Sequence, residues 1–503
     1  MPTASRPAAA PPVLPKVTRI SSEGNVKKNN LHSADQTAPF FRHAQRTFWG
    51  MLGICALIFF ALAAGPVPAQ YREDPIDENA EKQKSDLGSG DEAKITSFAK
   101  GFYLARWTHR ENLSRLHTFR QDTAKDVAAL RGENKKTAQR VLVNLFAEMA
   151  LSEDLLPAAR FNAALAVGMF NEREPGAGGS GDAGVPYAPA IDVMAEMFNT
   201  GEAEPTGGRV PDYVVLALLI NLGDYAAVGI PDAANKKTVT DIFLKTLDPA
   251  FGKRHNYSPE TTAWLQKKAV DGLAAFESPS DGENNTVILD TFIRLVRDKN
   301  TDIDVQCAAL RGIGAMKFDG KDDFDFEPAV TALARAAFLI NQKDIAFIDE
   351  ENIRSQVEST QGAPRTGSAA GMLPTTGAGS VNTGTVLSRV KYDEESLRAA
   401  IDGGNGKDGI LPRLTKESQA PLKEALESII ARLDRANNFF DFGEEALDEK
   451  FDPKKVRRAK TPKGGEMYFA VNSTMIKYFL TDETDFYQDL AESLAAAESE
   501  KAR

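Results

Sequence analysis

Ten cations between Lys100 and Arg140 form the one basic segment of an acidic chain: Lys100, Arg106, Arg110, Arg115, Arg120, Lys125, Arg131, Lys135, Lys136 and Arg140. Only Glu111, Asp122, Asp126 and Glu133 oppose them. Arg106 and Arg110 stand one helical turn apart and share a face, with Tyr103 and Trp107 nearby. A guanidinium presents a planar fork of N–H donors that suits carboxylates and phosphates. Arg106, Arg110, Arg115 and Arg120 are therefore the candidate partner-binding residues, for an acidic protein, an anionic glycan or a lipid surface. The competing reading pairs these arginines with the acidic remainder of the same chain.

Other residue sets with chemical potential lack the context their chemistry needs. Gly176–Gly181 and Gly404–Gly409 both match G-x-G-x-x-G. A dinucleotide site needs those glycines between a strand and a helix, so that backbone amides meet a pyrophosphate at the helix N-terminus. The first lies in a low-complexity loop and the second runs from a helix toward Pro412, so both read as loops. Asp319, Asp322, Asp323, Asp325 and Glu327 alternate with Phe318, Phe324 and Phe326. An EF-hand wants glycine where Phe324 stands, so this reads as a solvated turn with phenylalanines tucked into the core. The Asp402 loop, DGGNGKDG, puts glycines where calcium needs oxygen ligands. His109, His117 and His255 lack the helical spacing of a zinc pair, and Cys307 has no second thiol beside it. Cys307 reads as a buried, inert thiol. G-x-S-x-G is absent. No catalytic, cofactor-binding or metal-ligating residue is assigned, and no cofactor is expected.

An apolar run from Phe48 to Gly65 follows a leader with seven basic and two acidic residues. Positive charge stays on the cytoplasmic side, so the chain beyond the run is expected to be exported, to a bacterial periplasm or cell envelope or to the medium. Val67-Pro68-Ala69 carries small residues where a signal peptidase reads, with Gln70 as the new N-terminus. The alternative is an uncleaved anchor with its N-terminus inside, because a run of about 18 residues approaches the length that spans a bilayer. Beyond Ala69 the chain holds 53 basic and 69 acidic residues, a formal charge of −16. That balance disfavours nucleic acid as a partner. A lone cysteine, Cys307, cannot form an internal disulfide there, so the packed core must carry stability.

The elements that must position the basic segment are helical. From Lys94 to Ile340 the apolar period predicts helices over 136–151, 153–170, 187–199, 211–223, 236–247, 259–276, 285–297, 303–316 and 327–341. Asn134 is a candidate cap, and Asp232, Ser258-Pro259 and Asp319-Gly320 are breakers. Four helices share a small-residue pattern: NAALAVG (162–168), ALLINLG (217–223), KAVDGLA (268–274) and AALRGIG (308–314). Ala163, Leu218, Ala269 and Ala309 each precede an aliphatic residue by four positions, and a glycine or alanine follows. That step puts both on one helix face, and the small residue admits a neighbouring helix. Later helices are predicted at 393–401, 415–436 and 482–500, with 466–480 as a hairpin turning at Asn472-Ser473 or one amphipathic helix.

With Asp304–Gly314 as its closest segment and Arg160–Leu165 as a weaker one, residues 134–341 resemble the HEAT/armadillo class of α-solenoids. The resemblance implies stacked helical hairpins that present surfaces to partner proteins. The expected fold is all-α: an irregular HEAT-like repeat domain with a small helical or mixed C-terminal part. The expected divisions are a disordered basic leader (1–47), a signal or anchor (48–69), a flexible tether (70–92), the repeat domain (93–355), a low-complexity linker (356–390) and a C-terminal helical region (391–503). The expected function is a non-catalytic exported scaffold that binds a protein or envelope component. The alternatives are an envelope enzyme with a dispersed active site and a self-assembling structural envelope protein.

Overall fold

The computed structural model describes residues 71–77, 79–175, 184–200, 210–281, 286–318, 325–361, 383–403, 409–442 and 471–501. The leader and apolar run, both glycine motifs except Gly409, most of the acidic cluster and the centre of the low-complexity segment lie outside them. Contacts divide the chain after Gln70, and everything from Tyr71 onward forms one compact unit. That unit is helical, with sixteen α-helices and two short strands among the described residues.

Two helices open the unit, α1 (Glu92–Phe98) and the single turn α2 (Ala105–Thr108), with a π-helical turn (Ala99–Leu104) between them. Next come α3 (Leu116–Ala128), α4 (Gly132–Leu151) and α5 (Pro157–Val167). The strands β1 (Asn171–Arg173) and β2 (Val185–Pro186) pair antiparallel. The chain continues with α6 (Pro189–Thr200), α7 (Asp212–Val228), α8 (Ala233–Thr246), α9 (Phe251–His255), α10 (Pro259–Ala274), α11 (Val287–Arg297) and α12 (Ile303–Ala315). Sequence breakers act as caps. Asp232 accepts from the Asn235 amide at 2.8 Å, and Ser258 accepts from the Thr261 amide at 3.1 Å with Pro259 opening α10. Asn134 differs from its expected role. It lies inside the first turn of α4, and its side chain donates to the Gly88 carbonyl at 2.6 Å.

These helices pack in two ladders. One runs α5, α7, α10, α12; the other runs α4, α6, α8, and α11 packs on α12 and on the next helix, α13 (Glu327–Gln361). Helices α4 with α5 and α8 with α10 close the pairs between ladders. The four small-residue faces line this junction. Ala163, Val167, Leu218, Leu222, Ala269, Leu273, Ala309 and Ile313 are each 0% exposed. A fully buried aliphatic side chain of this size contributes roughly 1.5–3 kcal/mol. The glycines set how closely the ladder steps. A Cβ on Gly168 would collide with Asn221 of α7, and one on Gly272 or Gly312 would enter the ring of Phe243 or Phe292. Gly223 meets the Gly272 backbone across the α7–α10 step, where a Cβ would sit 3.6 Å from its Cα.

The carboxyl-terminal part is built on α13 (Glu327–Gln361), α14 (Thr383–Asp402), α15 (Ala420–Phe442) and α16 (Ser473–Lys501). Helix α13 runs well past the expected end at residue 341, because α16 covers its second half. Asn341 donates to the Leu480 carbonyl at 3.2 Å, Lys477 reaches Asp349 at 2.6 Å, and Ser473 meets Asn352. Those pairs make α13 and α16 antiparallel. Asn472, where a hairpin turn was one expectation, instead caps α16 by accepting from the Met475 amide at 2.9 Å. One main core extends from Leu87 to Ala491, so α14–α16 share it with the ladders. A smaller cluster holds Ile348, Val390, Phe439, Phe440 and Phe479.

The segment read as a tether is seated on the fold over its described residues. The Arg72 amide donates to the Asp154 carbonyl at 2.8 Å and the Asp77 amide to the Gly101 carbonyl at 3.1 Å. Leu87, in the 3-10 helix Ala80–Gly88, is buried. Of the stretch 356–390, residues 356–361 and 383–390 are helical and 362–382 lie outside the described residues.

Candidate functional site

The basic segment folds as the π-helical turn, α2, a 3-10 turn (Arg110–Arg115), α3 and the start of α4. Its four candidate arginines have three different environments. Arg106 is half-buried. Its guanidinium carbon lies 3.9 Å from the Phe102 ring centroid and 4.6 Å from that of Phe119, and its Nε donates to the Phe102 carbonyl at 3.0 Å. Burial pushes its pKa down. Arg115 is exposed and lies 5.0 Å from the same Phe119 centroid. Arg120 turns toward α5, donating to Asn162 Oδ1 at 2.7 Å, and burial lowers its pKa too. Arg110 is exposed, and its backbone amide donates to Glu73 at 3.1 Å. Phe119 thus brings Arg106 and Arg115 together, Arg110 opens the turn beside them, and Arg120 is engaged elsewhere. Other cations of the segment meet acids of the chain: Lys135 with Glu174, Lys136 with Glu133, and Arg140 with Glu92.

Behind this surface is a cavity of about 570 Å³. Leu104, Leu145 and Met149 contribute apolar lining, and Lys100, Glu148 and the Arg72–Asp74 pair contribute charge. The π-helical turn supplies Lys100, Gly101 and Leu104. Such turns recur at functional sites because the wider coil displaces backbone groups from the regular ladder; here the Gly101 carbonyl accepts from the Asp77 amide. The extended residues 71–77 cross the same region, held by Asp74 N–H to Thr108 Oγ1 at 2.8 Å and by His109 Nε2 against the Asp74 carbonyl at 2.8 Å.

A second constellation escaped sequence reading because it joins three distant helices. Cys307 of α12 donates its thiol to Asp393 Oδ1 of α14 at 3.1 Å. Asp344 of α13 meets Arg389 Nε at 3.2 Å, and Arg389 also lies 3.8 Å from Asp393. The Asp344 and Asp393 side chains are 1% and 2% exposed. Burial raises both carboxyl pKa values, and their contact with each other adds to the rise at Asp344. Two carboxyls buried side by side resist ionising together. Burial, reinforced by Asp393, likewise pushes the Cys307 thiol up. Glu394 is buried next door and its pKa is raised by desolvation. A thiol and acids so enclosed are out of substrate's reach, so the cluster fastens helices. Residues 37, 49 and 86 apart leave no periodic signal, and only the buried positions of Asp344 and Asp393 on otherwise amphipathic helices hint at it.

His255 packs against Phe251 and Tyr257 in an aromatic group, with centroids 4.6 and 5.4 Å away. Phe318 and Phe326 are buried and meet edge to face at 5.2 Å. Among the described residues no group of three or more His, Cys, Asp or Glu is placed to hold a metal ion. No described helix is long and apolar enough to cross a membrane, and the Phe48–Gly65 run lies outside those searched. No protein-family model matches the chain, and neither a curated protein nor a solved structure is detectably similar to it.

Proposed function

We propose that this protein is a non-catalytic, exported interaction scaffold, a HEAT-like solenoid whose amino-terminal basic face takes an acidic protein or envelope partner. The observation that carries the solenoid reading is a recurring joint. Just past α5 and within α7 and α12, the glycine that ends the small-residue motif abuts a following helix: Gly168 on Asn221 of α7, Gly223 on Gly272 of α10, Gly314 on Ala399 of α14. Equivalent joints at equivalent motif positions are what stacked hairpins require, each unit burying the face its neighbour leaves open. The binding role rests on a rigid support: Phe102 and Phe119 fix Arg106, and Arg110 and Arg115 stand exposed beside it. A preset cationic face loses little freedom on meeting carboxylates.

Affinity capture from the producing cell's envelope fraction tests the reading. The full chain should retain a defined partner, and Arg110→Glu with Arg115→Glu should release it while the helical circular-dichroism signal stays unchanged. Retention that ignores the reversal refutes the basic face as the binding surface. Cell fractionation tests export: a chain found wholly in the cytoplasm removes that part of the proposal.

A further inference from the structure

The basic face has a chemical complement on the same molecule. Helix α16 carries Tyr478, Asp482, Asp485, Asp489 and Glu492 at steps of four, three, four and three, which places them along one stripe. All five are exposed, and Tyr478 at 78% is the most exposed large apolar side chain described. Asp482 has a long contact with Arg435, 3.9 Å at 61% side-chain exposure, and Glu492 accepts from Gln488 at 2.9 Å within its own helix. The opposing surface is the turn Arg110–Arg115, where Leu113 is 38% exposed between the two arginines. One surface therefore presents an apolar spot between Arg110 and Arg115, with Glu111 exposed in the same turn, and the other a phenol ring leading into a row of carboxylates. They occupy opposite ends of the helix order: the turn packs on α2 and α3, and the stripe's helix packs on α13, α14 and α15.

We infer that two copies of this chain join head to tail, the Arg110–Leu113–Arg115 turn of one docking on the Tyr478–Glu492 stripe of the next. The inference rests on the basic face being a binding surface and adds that its partner is a second copy. Charge selects this orientation. At a formal −11 the chains repel one another in most encounters, and the pairing of these two surfaces replaces repulsion with attraction. Tyr478 offers Arg115 a second aromatic ring beside the Phe119 it already lies against, and an exposed guanidinium gains from such a face. Because the two surfaces differ, the contact is heterologous, leaves a free surface at each end and propagates into open chains. Salt should loosen it, since exposed charges are screened within about 8 Å at physiological ionic strength.

Cysteine crosslinking in the full chain tests this directly. Ser114→Cys and Thr481→Cys, introduced with Cys55→Ser, place thiols on exposed positions beside the two surfaces, and the remaining natural Cys307 is buried. Under a mild oxidant the double variant should give a ladder of dimers and longer species that each single variant fails to give. Arg110→Glu with Arg115→Glu should cut the ladder by about tenfold or more, as should Asp485→Lys with Asp489→Lys. Co-expressing those two charge variants should restore crosslinked pairs, because each keeps the surface the other lacks; that rescue separates lost attraction from misfolding. A double-cysteine chain that stays monomeric, or a ladder indifferent to both reversals, overturns the inference. If no ladder forms while charge reversal still releases an envelope partner, self-association falls and the scaffold reading stands.

Discussion

Between α5 and α12 the helices of one ladder meet across glycine, alanine and leucine, whereas α13 to α16 meet across buried charge. Ala163, Leu218, Ala269 and Ala309 are fully enclosed without any polar requirement of their own. In the later part the buried Asp344 and Asp393 lie against Arg389, and Glu483, 2% exposed, takes Arg432 at 3.1 Å and Arg435 at 2.9 Å. Both solutions close an interior, but they fail differently. An apolar seam fails by volume, and its strength is indifferent to protons. A buried ionic seam fails by imbalance of charge and answers to pH.

The largest effect is expected where volume is tightest. A Cβ at Gly314 would overlap the Ala399 carbonyl, so Gly314→Ala should force α12 and α14 apart and lower stability by about 3 kcal/mol, read as a shift in urea midpoint. An unchanged midpoint would mean the seam has room to spare. Next is Arg389→Met, which removes the cation facing the buried Asp344 and Asp393 carboxyls. It should cost about 2 kcal/mol near neutral pH, and less on acidification, as the carboxyls become protonated. A cost that does not vary with pH would show Arg389 acting by packing alone.

The pH response itself sharpens the contrast. The carboxyls of Asp344, Asp393, Glu394 and Glu483 are raised, chiefly by burial, so the folded chain holds their protons more tightly than the unfolded chain. Their contribution is fully present below the ordinary carboxylate range and is lost as pH rises through the raised values. Amide exchange in α14 should accelerate as pH rises above the ordinary carboxylate range, beyond its intrinsic pH dependence, and exchange in α5, which carries no carboxyl side chain, should follow only the intrinsic rate. Asp393→Asn should flatten the α14 response; an equal response in both helices would erase the distinction drawn here. The smallest effect has the opposite sign. At Gly223 a methyl group would meet only the Gly272 Cα at an ordinary 3.6 Å, so Gly223→Ala should stabilise by about 0.5–1 kcal/mol through helix propensity. Destabilisation there would show the α7–α10 step to be as tight as the one at Gly314.

The first half of the fold was legible because its signals are local. A 3.6-residue apolar period, Ser258-Pro259 and Asp232 specify where α8 and α10 begin, and the small-residue motif marks which face is covered. The extension of α13 to residue 361 was not legible, since its charged second half becomes helix surface only when α16 lies along it. The seating of residues 71–77 was equally hidden: a charged segment with no period reads as free chain until Asp154, Thr108 and Gly101 supply its hydrogen-bond partners. Among the candidate arginines, spacing placed Arg106 and Arg110 on one helix face, but α2 ends at Thr108 and the extended His109 separates them; the Phe119 contacts that join Arg106 to Arg115, and the turning of Arg120 toward Asn162, depend on α3 packing over α5.

Sequence alone, then, determined most of the ladder helices, the caps at Asp232 and Ser258 and the covered small-residue faces, because each is decided within a few turns of chain. Tertiary structure alone decided which acids lose their water. Asp344 and Asp393 are unremarkable letters 49 positions apart, and they become a buried pair that resists ionisation only because α13 and α14 shut solvent out around them. Desolvation is a property of the closed interior, and no spacing along the chain encodes it.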